Sequence, residues 1–445
     1  MEWTATAISA DVRAGHLTAR EALEEALARI ERTAGVTEGW QVVRREAARA
    51  EADLVDARAD RDALPLAGVP VAIKDNIPVA GEPMRCGSRA TDDALQPADH
   101  LLVRRLRDAG AVVVGLTRVP ELCIWGATDS AFGITRNPWD TSRTPGGSSG
   151  GTAAVVAAGD VPIGHGNDGM GSIRIPAAAC GLVGIKPGRG VVPRDTETSA
   201  WNDMAEQGPL ATTVADTALM FSVLAGDPSY AQVEEPCRLR IAISTKAPAP
   251  GIPVAAAWRA AAEDTGRLLA QVHEVARRTP RYPATLMTST ALALWTTGSA
   301  EEAALLAAPS LMERRNKVHT GLGRALAGRG LPTPGPREAW RRIAEEFFQD
   351  VDVLVTPTLA QPPVKARDWH RTGWTRTMLA NARYAPFAAP WNVAGWPAMS
   401  VPAGLDAGGR PVGVQLVGRP GSERTLLGVA AQIERLRPWQ RVAPV

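Results

Sequence analysis

Lysine is nearly missing from this chain. Of 49 basic residues only five are lysines: Lys74, Lys186, Lys246, Lys317 and Lys365. Where such a chain keeps a lysine, the position asks for something arginine cannot do, such as losing its proton. Cysteine is also scarce. Cys86, Cys123, Cys180 and Cys237 form no CxxC pair, which argues against a zinc knuckle or redox motif and leaves free, buried thiols. The six histidines are dispersed with no HExxH-type spacing, so no metal site is expected. No apolar run approaches the roughly 20 residues of a membrane helix. The start, Met1-Glu2-Trp3-Thr4, has neither a basic nor an apolar leader region, which predicts a cytoplasmic protein. Charge of one sign is lacking too. A net charge of +2 gives no footing for a nucleic-acid or membrane surface, and Arg104, Arg105 and Arg107 beside Asp108 read as a solvated helix face.

What is present is an ordinary globular balance, 45% hydrophobic and 22% charged over 445 residues, long for one core. Residues 4–60 read as helical, with a capping box at Thr18 to Glu21. Val69 to Ile73 reads as a buried strand followed directly by Lys74. His100 to Ala109 reads as a helix and Ala111 to Leu116 as a buried strand, an α/β unit. Residues 136–187 are dominated by Gly, Ser and Ala, with a helical run from Gly151 to Ala158. The interleaved apolar residues favour buried glycine-rich backbone over a linker. Arg238 to Ser244 is another apolar run, and 255–347 is mostly helical. Val351 to Val355 and Val412 to Val417 read as strands, and Leu426 to Leu436 as a closing helix.

Three positions carry chemistry. Lys74 ends an apolar strand, where burial would lower its pKa and make it a usable base. Taken alone, it reads first as a surface lysine paired with Asp75. Ser148 lies in Gly146-Gly147-Ser148-Ser149-Gly150-Gly151. Ser172 closes Gly169-Met170-Gly171-Ser172, a turn whose successive N–H groups can converge on an oxyanion. Taken alone, that stretch reads as a tight turn with a locally satisfied hydroxyl. Gly164 to Gly169 also spells GxGxxG. Gly171 and Pro176 break the helix that a dinucleotide fingerprint needs, and Asp195 is poorly placed as its acid, so the match is treated as accidental.

Together these segments resemble the amidase signature family. The strongest run joins Asn137-Pro138-Trp139, the Gly-Gly-Ser-Ser-Gly-Gly block and Gly166 through Pro187, with Val71-Ala72-Ile73-Lys74-Asp75-Asn76 upstream. Residues 352–358, 392–402 and 409–415 share the likeness, which spans about 5–436 and is weakest over 240–345. It implies an α/β amidase signature fold: a central mixed β-sheet of many strands flanked by α-helices on both faces. The whole of 1–445 would then form one domain. N-terminal helices occupy 1–60, the signature core 61–235, a variable helical insertion 240–345 and a return to the sheet 350–445. The resemblance further implies Lys74 as general base, Ser148 as proton relay and Ser172 as nucleophile, with a non-proline cis peptide at Ser148. Backbone N–H groups of Gly169, Met170, Gly171 and Ser172 would form the oxyanion hole. Asp168, Arg174 and Ser149 would support the turn. No histidine and no cofactor are required. The chain departs from the family pattern at Met170, where a glycine is usual, at Asn167, where Ser or Thr is usual, and at Arg118.

The resemblance places Cys123, Ile124 and Trp125 on the acyl pocket, which suggests an apolar or aromatic acyl group. Most of the 13 tryptophans are expected in the core, with Trp201, Trp391 and Trp396 the ones to watch. The favoured function is hydrolysis of a small organic amide. The rivals are a glutamine-hydrolysing component of an amidotransferase, an acyltransferase, a catalytically inactive binding protein and, last, a dinucleotide-binding oxidoreductase. The expected partner is a small-molecule amide, with no nucleic acid and no membrane; homodimerisation is left open.

Overall fold

The computed structural model describes residues 2–195 and 198–445. Its centre is an eleven-stranded mixed sheet. Across the sheet the strands run Trp40–Val43, Val112–Thr117, Pro70–Lys74, Ile163–Asp168, Glu206–Ala211, Val183–Lys186, Ala398–Leu405, Pro411–Val417, Val353–Pro357, Arg240–Ile243 and Glu274–Arg277. Helices flank it, among them Ala19–Thr37, which opens with the expected reciprocal capping bonds between Thr18 and Glu21. Among the described residues no helix is long and apolar enough to cross a membrane.

The site is set by one parallel trio. Pro70–Lys74 pairs in parallel with Val112–Thr117 on one side and Ile163–Asp168 on the other. Every residue of Pro70–Lys74 is buried, which explains its unbroken apolar run, since a parallel strand is covered on both faces. Lys74 is the last residue of that strand rather than the first beyond it. The carboxyl ends of the trio, at Lys74, Thr117 and Asp168, therefore share one rim of the sheet, where open α/β sheets place their ligands.

The GxGxxG spelling begins inside the Ile163–Asp168 strand, so it cannot be a phosphate-binding turn. The 4–60 segment is not helical throughout: Trp40–Val43 pairs antiparallel with Val112–Thr117. The 240–345 segment supplies two sheet strands as well as helices. Two apolar clusters result, one around the sheet and one rich in tryptophan, where Trp125, Trp340 and Trp391 are wholly buried.

Candidate active site

Lys74 is 0% exposed, and so is Ser148. The Lys74 ammonium nitrogen Nζ donates to Ser148 Oγ at 2.7 Å. It also donates to the side-chain oxygen of Asn167, which stands on the adjacent parallel strand. Asp75, the surface partner considered for Lys74, is itself buried and instead accepts the Arg85 N–H at 3.0 Å. Burial lowers the Lys74 pKa from its ordinary value; the Cys123 thiol and the carboxylates of Asp168 and Glu302 pull the other way. The peptide bond between Gly147 and Ser148 is cis. The next residue, Ser149, donates its N–H to the Ser172 carbonyl at 3.1 Å and its hydroxyl to the Asn167 carbonyl at 3.3 Å. The two serine turns are thus stitched together. His165 is buried two residues before Asn167, with Nε2 on Gln207 at 2.9 Å and its pKa pushed down to about 3 by burial.

The turn carrying Ser172 is organised by Asp168. Its carboxylate accepts the Gly171 N–H at 2.6 Å and the Ile173 N–H at 3.2 Å, and pairs with Arg174 Nε at 2.9 Å. Burial alone would raise this carboxyl. The Arg174 guanidinium and its hydrogen bonds outweigh that and hold it well below the usual carboxylate range. Arg174 reaches on to Gln415 Oε1 at 2.7 Å and Asn392 Oδ1 at 2.6 Å, and Asn392 Nδ2 returns to the Asp168 carbonyl at 2.8 Å. Asp168, Arg174 and Ser149 are thus all hydrogen-bonded within or to the Ser172 turn.

One expectation changes. The Gly171 N–H is already given to Asp168, so it is not available to an oxyanion. The N–H groups of Gly169, Met170 and Ser172 make no hydrogen bond to the described residues. Gly171 needs to be glycine for another reason: its φ is +117, and a Cβ there would lie only 2.6 Å from Ala388 Cβ. Met170 has no positive φ, which explains how a side chain is tolerated where a glycine is usual.

A cavity of about 280 Å³ adjoins this cluster, with Cys123 and Asn167 on its wall. Ile124 and Trp125, expected on the same wall, are not on it. Both are buried behind it, and Trp125 Nε1 donates to Asn316 Oδ1 at 2.6 Å. Leu122, Leu305, Leu306 and Trp201 supply the apolar part of the lining, and Glu302 a carboxyl. Sequence reasoning marked Trp201 but missed Glu302, Asn167 as a partner of Lys74, and the anchoring roles of Asn392 and Gln415. The lone signal for the last two was their place in blocks already noted for family likeness. Among the described residues no group of three His, Cys, Asp or Glu side chains could hold a metal ion.

The amidase family profile matches residues 21–327 and 334–427. The AmiB2 protein of Mycobacterium tuberculosis, a putative amidase, is 42% identical over 443 residues, covering 97% of this chain and 95% of that protein. A glutamyl-tRNA(Gln) amidotransferase component from a Synechococcus strain is 36% identical, covering 95% of each. The solved structure of 6-aminohexanoate cyclic dimer hydrolase superposes with a TM-score of 0.87 at 29% identity, covering 99% of this chain and 98% of that one. With a family profile across nearly its whole length and relatives above 30% identity over nearly all of it, the chain belongs to the amidase signature family of amide-hydrolysing enzymes.

Proposed function

We propose that this amidohydrolase cleaves the C–N bond of a small amide with Ser172 as nucleophile, Ser148 as relay and Lys74 as base. The observation that carries the reading is the buried 2.7 Å contact between Lys74 Nζ and Ser148 Oγ beside the Ser172 turn. Neutral Lys74 takes the Ser148 hydroxyl proton while Ser148 takes that of Ser172. The Ser172 Oγ–carbon bond forms, and the developing oxyanion is held by the N–H groups of Gly169, Met170 and Ser172. The C–N bond then breaks, and the proton returns through Ser148 to the departing amine. Water enters, gives its proton to the same relay and releases the acid, freeing Ser172. The apolar wall of Leu122, Leu305, Leu306 and Trp201 supports an apolar or aromatic acyl part. Four cysteines that form no disulfide fit a cytoplasmic setting.

The test is amine or ammonia release from a panel of aryl and aliphatic amides, glutamine included, by wild type and Ser172→Ala. Release lost in the variant supports the reading. Equal release from both removes Ser172 as nucleophile. Release from glutamine alone, and only with an added partner, favours an amidotransferase component instead.

A further inference from the structure

The cavity has a feature that amide cleavage alone does not use. The helix Ala291–Ala304 docks on the turn at Ala200–Asp203 through Gly298. A Cβ at Gly298 would lie 2.3 Å from Trp201 Cα, so glycine alone permits this approach. One helical turn further on the same face stands Glu302. The Trp201 ring lies over Gly169 of the Ser172 turn, and Trp201 and Glu302 line the same cavity. Trp201 is thus a strut between the Ser172 turn and the helix that carries Glu302.

The strut is held against its own backbone preference. Ala200, Trp201, Asn202 and Asp203 all have positive φ, from 48 to 60, and none is glycine. Surroundings must over-determine such a turn. Here Asn202 Nδ2 donates to the Leu294 carbonyl and to Thr297 Oγ1, each at 2.9 Å, both on the helix that carries Glu302.

Glu302 has no cation on its own wall. Among the described residues lining the cavity none is Lys, Arg or His, and a second carboxylate, Asp92, stands at its exposed side. The charges that act on Glu302 are Lys74 and the neighbouring Glu301. Burial raises its carboxyl to about 7, so its ionised form is under-compensated until a positive group arrives. Asn76 and Gln96 add neutral polar groups, so the described lining carries negative charge and no positive charge to balance it.

We propose that Glu302 is a specificity-determining residue: the cavity takes an amide whose far end carries a protonated amine, and disfavours one ending in a carboxylate. This rests on the amidohydrolase reading for its kinetic test, but not for its binding test. The first measurement is kcat/KM on three chain-length-matched substrates, an alkanamide, its ω-amino form and its ω-carboxy form. Wild type is expected to prefer the ω-amino amide over the neutral one by about tenfold or more, with the ω-carboxy amide poorest. Glu302→Gln keeps the size and removes the charge. It should erase the preference and relieve the carboxylate penalty, mainly through KM. An equal loss on all three substrates would make Glu302 a prop for the turn and overturn the proposal.

The second measurement is calorimetric binding of an alkylammonium ion and of the matching primary alcohol to Ser172→Ala enzyme, with and without Glu302→Gln. Tighter ammonium binding that vanishes with Glu302→Gln supports charge selection even if no amide is cleaved. Amidase failure with intact ammonium selectivity sinks the catalytic reading alone. Ammonium bound no better than alcohol overturns the present proposal whatever the enzyme hydrolyses.

Discussion

On the proposed mechanism, Lys74 is where one proton decides activity. A base must be neutral, and burial lowers the pKa of Lys74. Below that lowered value the amine is protonated and idle; above it the amine is free. The kcat/KM profile should therefore climb with pH and level off short of the ordinary lysine value of roughly 10.4. Removing the carboxylate that favours the ammonium should move this limb to lower pH, so the profile of Glu302→Gln should lie on the acid side of wild type. Lys74→Arg keeps the charge but cannot lose it. Turnover should fall by roughly 10²–10⁴-fold, measured as amine release under saturating substrate. The same residue shows how far sequence reasoning reaches. Lysine scarcity and the preceding apolar strand pointed to Lys74. Nothing in a separation of 93 positions announced its contact with Asn167; only the parallel pairing of two strands brings them together.

Among the elements, the Ser172 turn depends on the buried Asp168–Arg174 pair. Removing one partner strands the other charge in the interior, where truncating half of such a pair costs about 3–5 kcal/mol. Arg174→Met should lose about that much unfolding free energy in denaturant titration, and activity with it. The Asp168 contribution should be complete above an unfolded value of roughly 3.9 and fade only as pH falls towards the depressed native one. On the helix Ala291–Ala304, Gly298→Ala should lower kcat/KM. Alanine favours a helix over glycine by about 1 kcal/mol, but the added Cβ would meet the Trp201 backbone and push the helix off the turn. The elements differed in legibility for physical reasons. Pro70–Lys74 and Val112–Thr117 were readable as apolar runs of β-branched residues. Ile163–Asp168 was not, because Gly164, Gly166 and Asp168 look like loop. The left-handed turn at Ala200–Asp203 had no glycine or asparagine pattern strong enough to signal it, being imposed by packing against Gly298.

Across the whole molecule, the sheet interleaves distant parts of the chain. Val183–Lys186 pairs with Ala398–Leu405, which pairs with Pro411–Val417, and those two strands separate the first half of the sheet from Val353–Pro357. A fragment of residues 1–345 keeps Lys74, Ser148 and Ser172 yet loses three neighbouring strands and the groups that hold Arg174. It should be recovered only as aggregate, and any soluble portion should exchange its Ile163–Asp168 amides without protection. The sheet-centred architecture was legible in outline from alternating helix and apolar-strand patterns. Strand order was not, since pairing across two hundred residues leaves no local mark.

The tether from Arg174 to Asn392 and Gln415 also has a meaning in time. A ribosome delivers Lys74, Ser148 and Ser172 together, but the side chains that clamp the Ser172 turn are synthesised more than two hundred residues later. A nascent chain therefore carries these groups long before it can aim them, and the Ser172 turn is clamped only once Asn392 and Gln415 have been made.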